Sequence, residues 1–302
     1  MTLRFRSHQA SSRRLLAIVS LAVMVATLVA PTASAASVRR TWQAQLAAGG
    51  GSGTATLTAY WAGNGALGLA LKGLQPSAKY PIIVYRGTCA APIRIASLPA
   101  AVTDASGAVA TTSPVSTGVM NSIWTYARTA SVAIKVGTGS QALCGGLRFA
   151  AATRIAIMGL KIDLPIIKPT SAYPPCNVAL YLRELSQSGE AGVTFIYAHA
   201  RKGMFLPLLE RSKINNGASL LGMTVKVWTS NNLVTTYKIT KVRRHVTTLG
   251  NALDLETEQL WIQTSEGPRG TVGKLIVVAK RISQEPAAQA AAHPTPHPVV
   301  CG

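Results

Sequence analysis

"WIQTSEGPRGTVGKLIVVAK", residues 261–280, reads as a β-strand, a turn and a second β-strand. Trp261, Ile262 and the polar pair Thr264-Ser265 end the first strand, and Gly267-Pro268 turns the chain. Lys274 opens the second strand, and the apolar run 275–278 continues it. The hairpin therefore carries a hydroxyl at its mouth and a cation where the next strand begins. Such a place suits a nucleophile and the partner of an oxyanion. Three readings of Ser265 stand open: a nucleophile, the residue that replaced one, or a turn residue.

Around this hairpin the segment from Arg154 to Ser283 reads as one β-rich domain. It opens with "RIAIMGLKIDLPII", two apolar strands about a turn at Gly159, and strands are expected at 193–198, 224–229, 233–240, 259–264 and 274–280. Val178, Leu182 and Leu185 recur at helical spacing and predict a short helix near 177–187. Beyond Ser283 the composition turns to Pro, Ala and Gln, so residues 284–302 are expected to be a disordered tail, with Cys301 at its end and His293 and His297 as linker residues.

The part before it differs. Residues 37–150 are rich in Ala, Gly, Ser and Thr and carry little charge; short strands at 54–60, 66–72, 80–86, 93–98 and 131–136 alternate with turn signals such as Gly63-Asn64-Gly65. That spacing predicts an antiparallel β-sandwich, and Cys89 and Cys144 flank most of its second half. A bridge between them would remove about 4 kcal/mol of unfolded-state entropy on the chain-entropy model. The glycine-rich stretch 49–53 has no following Gly-Lys-Ser/Thr, so it is a loop and not a phosphate cradle.

Residues 1–36 read as an export signal: Arg4, Arg6, Arg13 and Arg14 precede an apolar run over 15–30, Pro31 breaks it, and Ala33-Ser34-Ala35 offers a cleavage site after Ala35. The run is short for a membrane span, which needs about 20 apolar residues. Cleavage leaves 26 basic and 10 acidic residues, a net charge of +16. Such a charge favours anionic polymers of a cell envelope as partners. Nucleic acid is excluded as a partner because the basic residues are scattered and aromatics make up only 6% of the chain, too few for stacking platforms between cations. No Cys-x-x-Cys spacing occurs and the five histidines do not gather with the four cysteines, so neither a metal site nor a cofactor is expected.

The order of the pieces in 154–283 resembles the sortase family. "RIAIMGLKIDLPII" is similar to the family's opening strands, and "GVTFIYAHA" to the strand that delivers its histidine, here His199. "MFLPLLE", "GMTVKVW" and "YKITKVRRH" match the helix and two strands that follow, "LWIQTS" sits where the family has a Thr-Cys pair, and "KLIVVAK" where its last strand begins with arginine. "GLQPSAKYPIIVYRGTCA" is similar to a pattern of secreted bacterial β-sandwich modules. The resemblance implies a β-barrel of seven or eight strands. It also implies an exported transpeptidase or hydrolase acting on a peptide sorting signal, with thiol nucleophile, histidine and arginine in the three catalytic roles. Only His199 is kept. Ser265 stands at the cysteine position, and Lys274, or Arg269 within the loop, at that of the arginine.

The change to serine matters chemically. A thiol ionises at about 8.5 and a nearby cation makes its thiolate accessible near neutral pH, whereas a serine hydroxyl must give its proton to a base in contact during attack. Two functions therefore stay open: acyl transfer or peptide cleavage through Ser265, His199 and a cation, and a catalytically degenerate peptide-binding or adhesion protein of the envelope. Cys176 is an alternative nucleophile if it lies near His199; otherwise it is an inert buried thiol or is bonded to Cys301. Glu266 reads as a solvated turn acid, since neighbours on a strand point to opposite faces.

Overall fold

The computed structural model describes residues 37–129, 131–169, 173–268 and 273–301. The expected export signal and cleavage site, and Arg269, lie outside the described residues. Among the described residues no helix is long and apolar enough to cross a membrane.

The first part contains β1 (Val38–Ala48), β2 (Gly51–Tyr60), β3 (Gly65–Lys72), β4 (Lys79–Gly87), β5 (Pro92–Val102), β6 (Val109–Val115), α1 (Thr117–Thr129), β7 (Val132–Val136) and β8 (Leu143–Phe149). All eight strands form one antiparallel sheet in the order β5-β4-β7-β8-β1-β2-β3-β6. The sheet follows from period-two patterning: on β2, Ala55, Leu57 and Ala59 are buried while the intervening threonines face outward. Gly49 and Gly50, both at positive φ, make the two-residue turn that joins β1 to β2. The sheet curls until its edge strands β5 and β6 share one core, with Trp42, Leu57, Val84, Ile134 and Leu143 among its members. Helix α1 fills that core with Met120, Ile123 and Ala127, spaced for one helical face. Cys89, in the β4–β5 connection, is bonded to Cys144 on β8.

The second part contains β9 (Ala152–Ile157), β10 (Ile162–Ile167), β11 (Ala179–Tyr181), β12 (Val193–Tyr197), α2 (Leu206–Lys213), β13 (Thr224–Thr229), β14 (Leu233–Val246), β15 (Gln259–Ser265), β16 (Lys274–Pro286) and α3 (Gln289–Ala292). Its eight strands close into a barrel in the order β10-β11-β12-β15-β16-β14-β13-β9. Inside lie Ile155, Leu164, Ile196, Val227, Tyr237, Leu260, Ile262, Leu275 and Val277, capped by Phe205 and Leu208 at the start of α2. Phe195, Trp261, Ile276 and Val278, on the opposite faces of β12, β15 and β16, pack with Leu185, Val193 and Ala252 into a second cluster. Burial on both faces is why these strands are continuous apolar runs in the sequence.

A buried ion pair joins the barrel to β1. Arg40, 1% exposed, donates from Nε to Glu190 Oε2 at 3.2 Å and from its terminal nitrogens to the Arg183 and Leu185 carbonyls. Burial pushes the Glu190 carboxyl up, against the pull of Arg40 and of the backbone N–H of Gln187.

Two expectations are corrected. Residues 177–187 contain no helix: Val178, Leu180 and Tyr181 are buried one after another, because β11 pairs with both β10 and β12 and that pairing outweighs the helical spacing. Residues 284–301 are not a disordered tail. β16 stays paired with β14 as far as Pro286, Ala292 is fully buried, the ring of His293 meets Asn232 Oδ1 at 2.9 Å, and Val299 bridges to Cys176. Composition counts the prolines and alanines but cannot see the barrel edge and the disulfide that hold them.

Candidate functional site

The decisive topological feature is the parallel pairing of β12 with β15. Parallel neighbours need a long crossover, supplied here by α2, β13 and β14. Both strands then end at the same end of the barrel, where β16, antiparallel to β15, begins. The β12–β15 register runs Val193 with Gln259 through Tyr197 with Gln263. It continues in the Ala198 N–H donating to the Gln263 carbonyl at 3.2 Å and in the Thr264 hydroxyl donating to the Ala198 carbonyl at 2.9 Å. His199 follows Ala198, and Ser265, which follows Thr264, is itself paired with Lys274. Hydroxyl and ammonium thus stand on two adjacent strand ends, and the imidazole belongs to the residue two positions past the end of β12, the neighbour of β15 on its other side.

Their contacts are specific. Lys274 Nζ donates to Ser265 Oγ at 3.1 Å. His199 Nε2 lies 2.6 Å from the carbonyl oxygen of Pro174, and the Tyr173 ring meets the His199 ring edge-on with centroids 4.7 Å apart. His199, Ser265 and Lys274 are each half-buried. Glycine precedes Lys274 for a steric reason: a Cβ on Gly273 would come within 2.4 Å of the His245 carbonyl carbon.

Glu266 is not a solvated turn acid. Its side chain is 2% exposed, accepting from Arg244 Nε at 2.7 Å and from the His245 backbone N–H at 2.5 Å, with His245 Nδ1 at 3.0 Å. It ties the turn after β15 to the end of β14, on the side away from His199. Two positions behind His199, Tyr197 is held above its ordinary pKa by burial and then by Glu184.

Cys176 is corrected as an alternative nucleophile: it is bonded to Cys301 and carries no thiol. Its backbone N–H donates to the Val299 carbonyl at 2.8 Å, and the Val299 N–H returns a bond at 3.2 Å. The segment just before it, Tyr173 and Pro174, is what meets His199. The Pro-Pro pair before Cys176 was its visible sign, a stiff stretch of fixed φ, but nothing in the residues said which side chain it would meet.

No family model and no curated protein match this chain. Solved sortase structures are similar to it. Sortase A of Listeria monocytogenes is 15% identical, with 48% of this chain and 98% of that one covered at a TM-score of 0.37. Pilus Island 1 sortase C2 of Group B Streptococcus is 18% identical, covering 43% and 73% at a TM-score of 0.36. Sortase E1 of Streptomyces coelicolor, solved with a tripeptide in the active site, is 17% identical, covering 45% and 90% at a TM-score of 0.36.

Proposed function

We propose that this chain is an exported, sortase-type protein whose barrel end acts on a peptide acyl group, with Ser265 as nucleophile, His199 as base and Lys274 as the charge-stabilising cation. The observation that carries the reading is the 3.1 Å bond from Lys274 Nζ to Ser265 Oγ, beside the strand that leads to His199. In the first half-reaction Ser265 Oγ attacks the carbonyl carbon of the scissile amide as its proton passes to His199. The C–N bond then breaks, and that proton leaves with the amine. An ester to Ser265 remains, which an amine resolves by transfer or water by hydrolysis, regenerating the hydroxyl. The ammonium of Lys274 stabilises the negative charge that develops on oxygen, though as a point charge without the two-pronged geometry of arginine.

Export rests on the amino-terminal sequence and on the two disulfides, which form in oxidising compartments. In this reading residues 37–150 form a separate adhesion or spacer module, and the excess of basic residues holds the protein to anionic envelope polymers.

The test is labelling by a fluorophosphonate probe. Labelling of the wild type that is lost in Ser265→Ala and in His199→Ala supports acyl chemistry. A second reading, a peptide-binding barrel that has lost its chemistry, is favoured by the 2.6 Å contact that engages His199 Nε2 with Pro174 rather than with Ser265. A wild type silent to the probe, yet binding extended peptides, establishes that second reading.

A further inference from the structure

The segment that meets His199 has a chemistry of its own. The carbonyl oxygen of Pro174 carries no proton and can only accept, so the ring nitrogen 2.6 Å away must donate. A neutral imidazole has one N–H, and the partner of one nitrogen decides the state of the other. With Nε2 protonated, Nδ1 carries the lone pair.

Two further features hold that carbonyl in place. Pro174 and Pro175 are consecutive, fixing two φ angles and confining the residue between Tyr173 and Pro175 to extended conformations. Neither proline has an N–H, so the pair offers only acceptors to the site. Immediately after them, Cys176 is anchored twice to the carboxy-terminal segment, by the disulfide to Cys301 and by the reciprocal backbone bonds with Val299. The Tyr173 ring flanks the imidazole.

We infer that the Tyr173–Pro174 strap, stapled to the chain's carboxy-terminal segment through Cys176–Cys301, is the positioning element of His199: it fixes the Nε2–H tautomer and makes Nδ1 the basic nitrogen. This deepens the acyl-transfer reading above, in which something must orient the base. A backbone carbonyl here fills the role that a carboxylate has in serine triads. It also gives the ordered carboxy-terminal segment a task, since the staple reaches His199 through only the two prolines.

The experiment reads the tautomer directly. Long-range proton–nitrogen correlation spectra of the ¹⁵N-labelled, oxidised protein are recorded about two pH units above the ordinary histidine value of about 6.5, with His199 assigned by its loss in His199→Gln. The expected wild-type spectrum shows the Nε2–H tautomer in excess. In Cys176→Ser/Cys301→Ser that excess falls by about fivefold, the bias a typical hydrogen bond supplies. Replacing both prolines by alanine, with the disulfide kept, lowers it by a smaller factor and serves if the serine variant does not fold. An Nδ1–H tautomer in the wild type overturns the inference, as does a ratio unchanged in the loosened variants. The readout does not depend on Ser265. A silent fluorophosphonate probe with a locked tautomer refutes the acyl chemistry and leaves the strap standing, whereas an unlocked tautomer with a reactive serine does the reverse.

Discussion

Ser265→Cys tests whether the barrel end has the electrostatics of a nucleophile site. The four natural cysteines are paired, Cys89 with Cys144 and Cys176 with Cys301, so the introduced thiol is the only one. Lys274 Nζ stands 3.1 Å from the oxygen that the sulfur replaces. Two opposite charges at about 4 Å attract by about 1 kcal/mol in water-like surroundings and about 4 kcal/mol at the effective dielectric of a protein surface. At about 1.4 kcal/mol per pKa unit, this corresponds to about 0.7 to 3 units. Lys274 is half-buried, and solvent screening keeps the effect in the lower part of that range. The cation favours the thiolate, so the pKa falls from about 8.5 to about 7. Iodoacetamide labelling followed by mass spectrometry against pH gives that midpoint, with reactivity present above it and lost as pH falls through it. Adding Lys274→Met, which keeps the stem and removes the charge, returns the midpoint to about 8.5. A midpoint unshifted in the single variant, or shifted equally in the double one, refutes the role given to Lys274.

Other consequences concern the frame that holds the site. Arg40→Met leaves Glu190 buried and unpaired and is expected to cost about 3–5 kcal/mol, read from urea unfolding; a cost below about 1 kcal/mol would mean the pair contributes little. Cys89→Ser/Cys144→Ser opens a span of 55 residues and is expected to lose about 4 kcal/mol in guanidinium unfolding. Thr264→Val removes the hydroxyl that bonds the Ala198 carbonyl beside His199. It is expected to cost about 1–3 kcal/mol by thermal melting, and an unchanged melting temperature would show that water takes over the bond.

Much of the barrel was legible because its strands are buried on both faces. "GVTFIY", "LWIQ" and "KLIVVA" are short apolar runs bounded by turn residues, and each became a strand of the central group. Ser265 and Lys274 were singled out because one ends and the other opens such a run, and His199 because "GVTFIYAHA" resembles the strand that delivers the sortase histidine. What was misread depends on partners distant in sequence. β11 is three residues long and exists only because β10 and β12 lie on either side of it. Helix α1 has its apolar spacing at Met120, Ile123 and Ala127, but it lies among strands in a low-complexity stretch, where threonine and serine dilute the period. The carboxy-terminal segment is ordered by a disulfide between residues 125 positions apart. Pairing among four cysteines has three solutions, and spacing alone does not choose between them.

The arrangement of the three groups also bears on what serine costs at this position. A thiolate and an imidazolium attract each other as charges, so a thiol site tolerates some separation between them; a serine and a neutral imidazole do not, because the proton must move within a hydrogen bond. Here the hydroxyl stands in the middle of the row and its oxygen already accepts from Lys274. Accepting from a cation pulls electron density from the oxygen and eases its ionisation, but it also occupies a lone pair. Deprotonation must therefore come from the other side, where His199 follows β12 with Nε2 committed to Pro174. Only Nδ1 remains for that task. Activity through serine thus needs the tautomer that the strap imposes.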